Sequence, residues 1–424
     1  MSAKPTDGLV QNALSLIASG AGSAMIGIVF WGVAAHLASE ATVGRMSAEI
    51  AVMLLLSLIS QFSFSTNFER FLPVAGDQTR SFIVRAYALC VSASLVISAA
   101  YVALGLGHSF LPRSLEWRAF FVLAVILWTV FALQDSVLVG LRATRWVPVE
   151  NILYALAKLG LLPLFLMITA GEGIFVAWIL PVVAMIVLVN WYIFKSRIPH
   201  HVSLSPVSEK LPTTRELIVL AGGEYGGLVI TVLTGSLTTL IVINRLGAVA
   251  NAHYYIPAQI SGGAFLLLSS ILRSFVVEVS SNPERTRHYA RTTLRTMVAL
   301  LLPSIVLGVA LAPEILGIFG RSYATQGTLL LRMMLLSVPA MSVSAFYFTF
   351  ALLDKRVWWF AVRQTASAVI FFSVLLLSLS HLGIRAIGLS YLVETGVQAI
   401  FFLPILIKRY QRAVSPSRAE GVVG

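Results

Sequence analysis

Residues 148–170 read PVENILYALAKLGLLPLFLMITA, and this stretch decides the fold. At about 1.5 Å of rise per residue its 23 residues reach across the ~30 Å hydrocarbon core of a bilayer. Only two charged side chains, Glu150 and Lys158, interrupt it. A helix on a soluble domain presents a whole polar face to water. Here Asn151, Tyr154 and Lys158, at steps of 3 and 4, make one narrow polar stripe on an otherwise apolar cylinder. The stretch is a membrane helix with something polar to do.

The rest of the chain is built the same way. Of its 424 residues 58% are hydrophobic and 11% charged, with a mean hydropathy of +0.88, where a soluble domain carries about 25% charged residues. Such a surface cannot be solvated as a globule, so the chain is an integral membrane protein. The net charge of +12 fits basic loops beside anionic lipid better than a nucleic-acid partner. Cys90 is the one cysteine, so no intrachain disulfide forms, and it reads as a small buried side chain.

Twelve apolar segments can be placed, near 11–38, 46–66, 82–107, 118–140, 148–170, 174–194, 216–244, 252–279, 294–319, 328–352, 360–381 and 386–407. The first is longer than a signal-peptide core of about 7–15 residues and reads as a retained helix. Pro163, Pro181, Pro257, Pro303, Pro339 and Pro404 are expected to kink or break helices. With the N-terminus inside, 22 basic residues fall in inner segments and 7 in outer ones, with Lys158 left mid-helix. That bias places both termini in the cytoplasm. All outer loops are short.

The sequence also repeats. At an offset of 203, Gly20, Gly32 and Gly44 meet Gly223, Gly235 and Gly247. At 213, Gly107-His108-Ser109-Phe110 meets Gly320-Arg321-Ser322-Tyr323, which fits an insertion around Asn282–Arg291. An even number of helices per copy keeps both copies in one orientation. The expected architecture is an all-α polytopic protein of about twelve transmembrane helices. They form two six-helix lobes related by a pseudo-two-fold axis along the membrane normal. The expected limits are 1–195 for the first lobe, 196–214 for a cytoplasmic linker, 215–410 for the second lobe and 411–424 for a cytoplasmic tail. Duplicated lobes suit a transporter that rocks about a central cavity.

Charges at membrane depth cost about 2.5–3.5 kcal/mol each on insertion scales, so each needs a reason. Glu224, Thr231, Thr234, Thr238 and Arg245 share one helical face, and Gln259, Gly262, Ser270 and Arg273 another. Asn12, Ser15, Ser19 and Ser23 form a third stripe, and Glu394 with Gln398 a fourth. Gln134-Asp135 closes the fourth span. These stripes line a hydrated cavity, or else they pair between helices, for example Asp135 or Glu150 with Lys158. Arg70 and Arg273 near the inner face divide between substrate contact and snorkelling, and Arg45 with Glu49 reads as an outer-surface pair. No G-x-x-x-x-G-K-[ST], H-E-x-x-H or paired aspartate motif occurs, so neither nucleotide hydrolysis nor metal catalysis is expected, and no cofactor. His200-His201 reads as a solvated loop pair.

The run Leu133-Gln134-Asp135-Ser136-Val137-Leu138-Val139-Gly140-Leu141-Arg142 followed by Asn151, the helix Asn12…Gly20…Gly32 leading to Val43-Gly44, and Leu316-Gly317-Ile318-Phe319-Gly320-Arg321-Ser322-Tyr323 together resemble a known family. It is the polysaccharide transporter, or O-antigen-type flippase, family. That family belongs to the multidrug/oligosaccharidyl-lipid/polysaccharide (MOP) flippase superfamily. The resemblance covers essentially the whole chain and implies a MATE-like fold. It also implies movement of an undecaprenyl-diphosphate-linked oligosaccharide to the outer leaflet of a bacterial inner membrane, alongside a polysaccharide polymerase and glycosyltransferases. For such cargo Lys158, Arg273, Arg70 and Arg245 stand as cations facing phosphate, and Asn151, Thr231, Thr238 and Gln259 as sugar partners. Glu224 or Asp135 takes up an ion in a coupling role. A murein-precursor flippase is expected to have fourteen helices, two more than this chain has room for. The competing reading is an ion-coupled multidrug or organic-cation antiporter, which calls for a carboxylate-rich cavity. An enzyme such as a membrane glycosyltransferase lacks its outer loop or acidic motif here.

Overall fold

The computed structural model describes residues 25–169, 171–204, 216, 222–353 and 358–414. Among the described residues every regular element is a helix, and eleven helices are long and apolar enough to cross a membrane. In chain order they are α1 (Met25–Leu37), α2 (Glu40–Ser60), the short α3 (Phe64–Phe71), α4 (Thr79–Ala103), α5 (Leu115–Gly140), α6 (Trp146–Ile168) and α7 (Gly173–Tyr192). The chain passes from α7 through one π turn into α8 (Ile198–Leu204), so these make a single span. Then come α9 (Gly222–Leu246), α10 (Ala248–Ser281), α11 (Thr286–Ala310), the short α12 (Ala312–Gly317), α13 (Arg321–Leu353), α14 (Trp358–Leu382) and α15 (Arg385–Val414). Eleven of the twelve expected spans have their helix; the first lies partly outside the described residues, which hold only α1.

Local chemistry explains where helices end. Ser39 caps α2 by accepting the Thr42 amide at 3.2 Å. Gly247, at φ +91°, breaks α9 from α10 in a backbone region that side chains with a Cβ rarely enter. All six prolines lie inside continuous helices, so none of them breaks its helix. Neighbouring helices and hydroxyl groups can satisfy backbone groups that a proline frees.

The described residues fall into two compact units, Met1–Tyr255 and Ile256–Gly424, and the division falls inside α10. In the first unit α5 is central, packed on α2, α3, α4 and α7, while α6 packs along α7. In the second, α15 packs on α13, α14 and α11. The stretch expected to be a linker is helical over Ile198–Leu204, and His201 is buried there rather than solvated. Its remainder lies outside the described residues, and the lobe limits at 195 and 215 stay a proposal of the sequence.

Helix bounds give the repeat a firmer register. From α2 to α10 the starts differ by 208, and α4 and α11 differ by 207 at both ends. From α5 onward α13 ends 213 residues later, and α14 and α15 begin 212 later than α6 and α7. The glycine matching at 203 is thus about one helical turn short. Residues four apart share a helix face, so a one-turn slip preserves the apolar pattern and goes unnoticed. The extra residues fall within α13, which begins 206 and ends 213 residues after α5, and not in the basic stretch at Asn282–Arg291.

Candidate cationic site in the first unit

Lys158 sits halfway along α6, 6% exposed, on the face turned toward α7 and α1. Its Nζ lies 3.6 Å from the Trp178 ring centroid, 4.9 Å from that of Tyr154 and 5.3 Å from that of Phe30. The Tyr154 hydroxyl donates to the Trp178 carbonyl oxygen at 3.1 Å and locks α6 to α7 at this level. Trp31 and Trp128 back the Trp178 ring at 6.1 and 6.2 Å. The cage is assembled from three helices. Among the described residues no carboxylate lies within ion-pair distance of Lys158. Cation–π attraction of about 0.5–2 kcal/mol per ring offsets much of an insertion cost of about 2.5–3.5 kcal/mol. The rings can therefore hold an ammonium group without cancelling its charge.

Toward the α5–α6 turn a second polar cluster forms. Gln134 donates to a Glu150 carboxylate oxygen, and Asn190 donates to the Gln134 carbonyl at 2.8 Å. Asn151 donates to Asp135 at 3.0 Å. The consecutive pairs Gln134-Asp135 and Glu150-Asn151 thus clamp α5 to α6 through two crossed amide–carboxylate bonds. Among the described residues neither carboxylate has an ion-pair partner, so the alternative in which Asp135 or Glu150 neutralises Lys158 or an arginine is not seen there.

The other sequence candidates are spread over both units. Asn151 and Asp135 come together, as above. The Thr231 and Thr238 hydroxyls donate to carbonyls of their own helix at 2.9 and 2.7 Å, and Thr238 is fully buried. Arg70 and Arg245 are exposed in the first unit, Gln259 and Arg273 in the second. Glu224 is in α9, but its side chain lies outside the described residues, as do Asn12, Ser15, Ser19 and Ser23. Arg45 does not pair with Glu49: its partner is Glu172 at 3.8 Å, while Glu49 turns inward and is buried. In the second unit Glu394 accepts from Ser367 and Gln398, and Arg363 lies 4.9 Å from the Phe348 ring. The cage rings were missing from the sequence reading. Tyr154 stood on the Lys158 stripe, but Trp178 and Phe30 approach only through helix packing.

Compared with the models of known protein families and with curated proteins, the sequence matches none. Solved structures do match in fold. An inward-facing multidrug resistance MATE transporter of the MOP superfamily aligns at TM-score 0.67 and 13% identity, over 94% of this chain and 96% of that one. The MATE multidrug transporter DinF-BH gives TM-score 0.67 at 12% identity, with 97% of each chain covered. A MOP transporter from Pyrococcus furiosus, described by the reversed polarity of its binding pocket, gives 0.62 at 13% identity over 96% of each. The chain is an all-α, multi-pass membrane protein with the fold of the MATE transporters.

Proposed function

We propose that this chain is an alternating-access transporter, not an enzyme, whose cargo is an anionic lipid-linked glycan. In the fuller form of that reading, it carries an undecaprenyl-diphosphate-linked oligosaccharide across a bacterial inner membrane, with both termini cytoplasmic. One observation carries it: the Lys158 ammonium is buried mid-helix among aromatic rings and has no carboxylate partner among the described residues. A charge compensated only by ring quadrupoles keeps its field and attracts phosphate. The same field repels an organic cation. Exposed Arg70 and Arg273 can add charge for a diphosphate, and Asp135 is the candidate for ion coupling.

The runner-up is an ion-coupled antiporter of organic cations. It draws support from the MATE multidrug transporters that share the fold and from the carboxylates Asp135 and Glu150. Proteoliposomes decide between the two. The expected outcome is transfer of a fluorescent prenyl-diphosphate oligosaccharide that is lost in Lys158→Ala. Proton release on binding cationic dyes, with indifference to prenyl diphosphates, favours the antiporter. In a producing strain, normal surface polysaccharide with Lys158→Ala at wild-type protein level sinks the cationic assignment.

A further inference from the structure

The two halves differ at one pair of positions in a way that packing does not demand. The starts of α6 and α14 differ by 212 and their ends by 214. At the intermediate 213, Lys158 on α6 corresponds to Phe371 on α14 and Trp178 on α7 to Tyr391 on α15, and within each unit the two residues are in contact. In the second unit these positions make a plain ring–ring contact, Phe371 against Tyr391, edge to face at 4.8 Å. The fold is content with an apolar ring there. In the first unit a lysine replaces it, with its Nζ 3.6 Å from the Trp178 centroid. Trp178 also carries a cost that a phenylalanine or leucine avoids, since its buried indole N–H has no hydrogen-bond partner among the described residues. Packing alone would favour the cheaper side chain. What the indole supplies is its face, the strongest cation-attracting surface among the natural rings.

We infer that Trp178 is the positioning residue for Lys158. Its ring face takes the place of a carboxylate, so the ammonium is fixed at mid-membrane while its charge stays free to meet a phosphate group. The inference rests on the anionic-cargo reading, and it names the residue that makes the cation usable. Tyr154 and Phe30 are the weaker walls, farther from Nζ. A carboxylate at the same place would hold the lysine equally well and cancel it.

The test uses the full chain in nanodiscs, with farnesyl diphosphate as the binding probe. Lys158→Ala and Trp178→Leu are each expected to weaken binding by about tenfold or more, and Trp178→Phe by only a few-fold. Replacing Trp178 with mono-, di- and trifluorotryptophan keeps its shape while draining the ring face, so affinity should fall stepwise with fluorine. A flat series, with Lys158→Ala still losing binding, overturns the positioning role and leaves the anionic-cargo reading standing. If wild type itself ignores the probe, that reading fails, and the fluorine NMR signal of fluorotryptophan at 178 decides the inference alone. A shift of that signal in Lys158→Met supports the ring–ammonium contact, and an unmoved signal overturns it. The fluorinated proteins keep the packing of wild type, so a misfolded Trp178→Leu does not blunt the test.

Discussion

At the scale of single residues, the two polar groups of the fifth span are held in opposite ways. Lys158 is held by rings that leave its charge uncancelled, and Glu150 by an amide hydrogen bond from Gln134. On the anionic-cargo reading, the first arrangement favours function over stability. Replacing Lys158 by methionine, of similar length and apolar, removes a buried charge and should leave the melting temperature in detergent unchanged or raised, as when buried charges give way to packed apolar groups. Transport should be abolished. A drop in melting temperature would mean that the lysine is structural. The second arrangement is the reverse. Gln134 is fully buried and bonds both Glu150 and Asn190, so Gln134→Ala strands two groups at about 1–3 kcal/mol each. Thermal unfolding should show that loss, while Glu150→Gln, which can still accept the bond, should lose less. The stripe Asn151–Tyr154–Lys158 was legible because helical spacing alone groups it. The cage was not, because Trp178 is 20 residues from Lys158 in sequence and Phe30 is 128 away, and no local period links them.

At the scale of elements, α2 and α10 meet by backbone. Asn251 donates to the Gly44 carbonyl at 2.7 Å and to Ser47 Oγ at 3.1 Å. A Cβ on Gly44 would overlap the Ala248 carbonyl oxygen. Gly44→Ala should therefore push the helices apart, at about 1–3 kcal/mol for an overpacked contact. Gly235→Ala is the control: among the described residues no atom of another helix lies within 4 Å of its Cβ position, and alanine is worth about 0.5–1 kcal/mol over glycine inside a helix. Unfolding temperatures of the two variants should move in opposite directions, and equal shifts would refute the close approach. The glycine spacing was read only as a mark of the repeat, whose register it misjudged, and the close contact at Gly44 appears only in the structure. The prolines do not break their helices. Their penalty is set by water-exposed helices, whereas a packed membrane helix re-satisfies the freed carbonyl. Hydrophobic length, by contrast, located eleven spans, because a bilayer imposes it directly.

At the scale of the whole molecule, the basic excess is a statement about sidedness. Loops assigned to the inner face hold 22 of the 30 lysines and arginines, and translocation selects against carrying such charges outward. The candidate site takes only a few of them, so +12 describes orientation far more than cargo. Orientation matters to the transport reading because cargo assembled on the cytoplasmic side must enter from the face to which the loop charges of the sequence assign Arg70 and Arg273. The one native cysteine, Cys90, is fully buried on α4 with its thiol directed to the Gln61 carbonyl at 3.6 Å, so it should stay silent to polar reagents. Single substitutions at exposed arginines then report the side. In intact cells a membrane-impermeant maleimide should label Arg321→Cys and Arg385→Cys. Arg80→Cys and Arg291→Cys should label only after permeabilisation. The opposite pattern inverts the topology and puts the arginines on the wrong face for cytoplasmic loading.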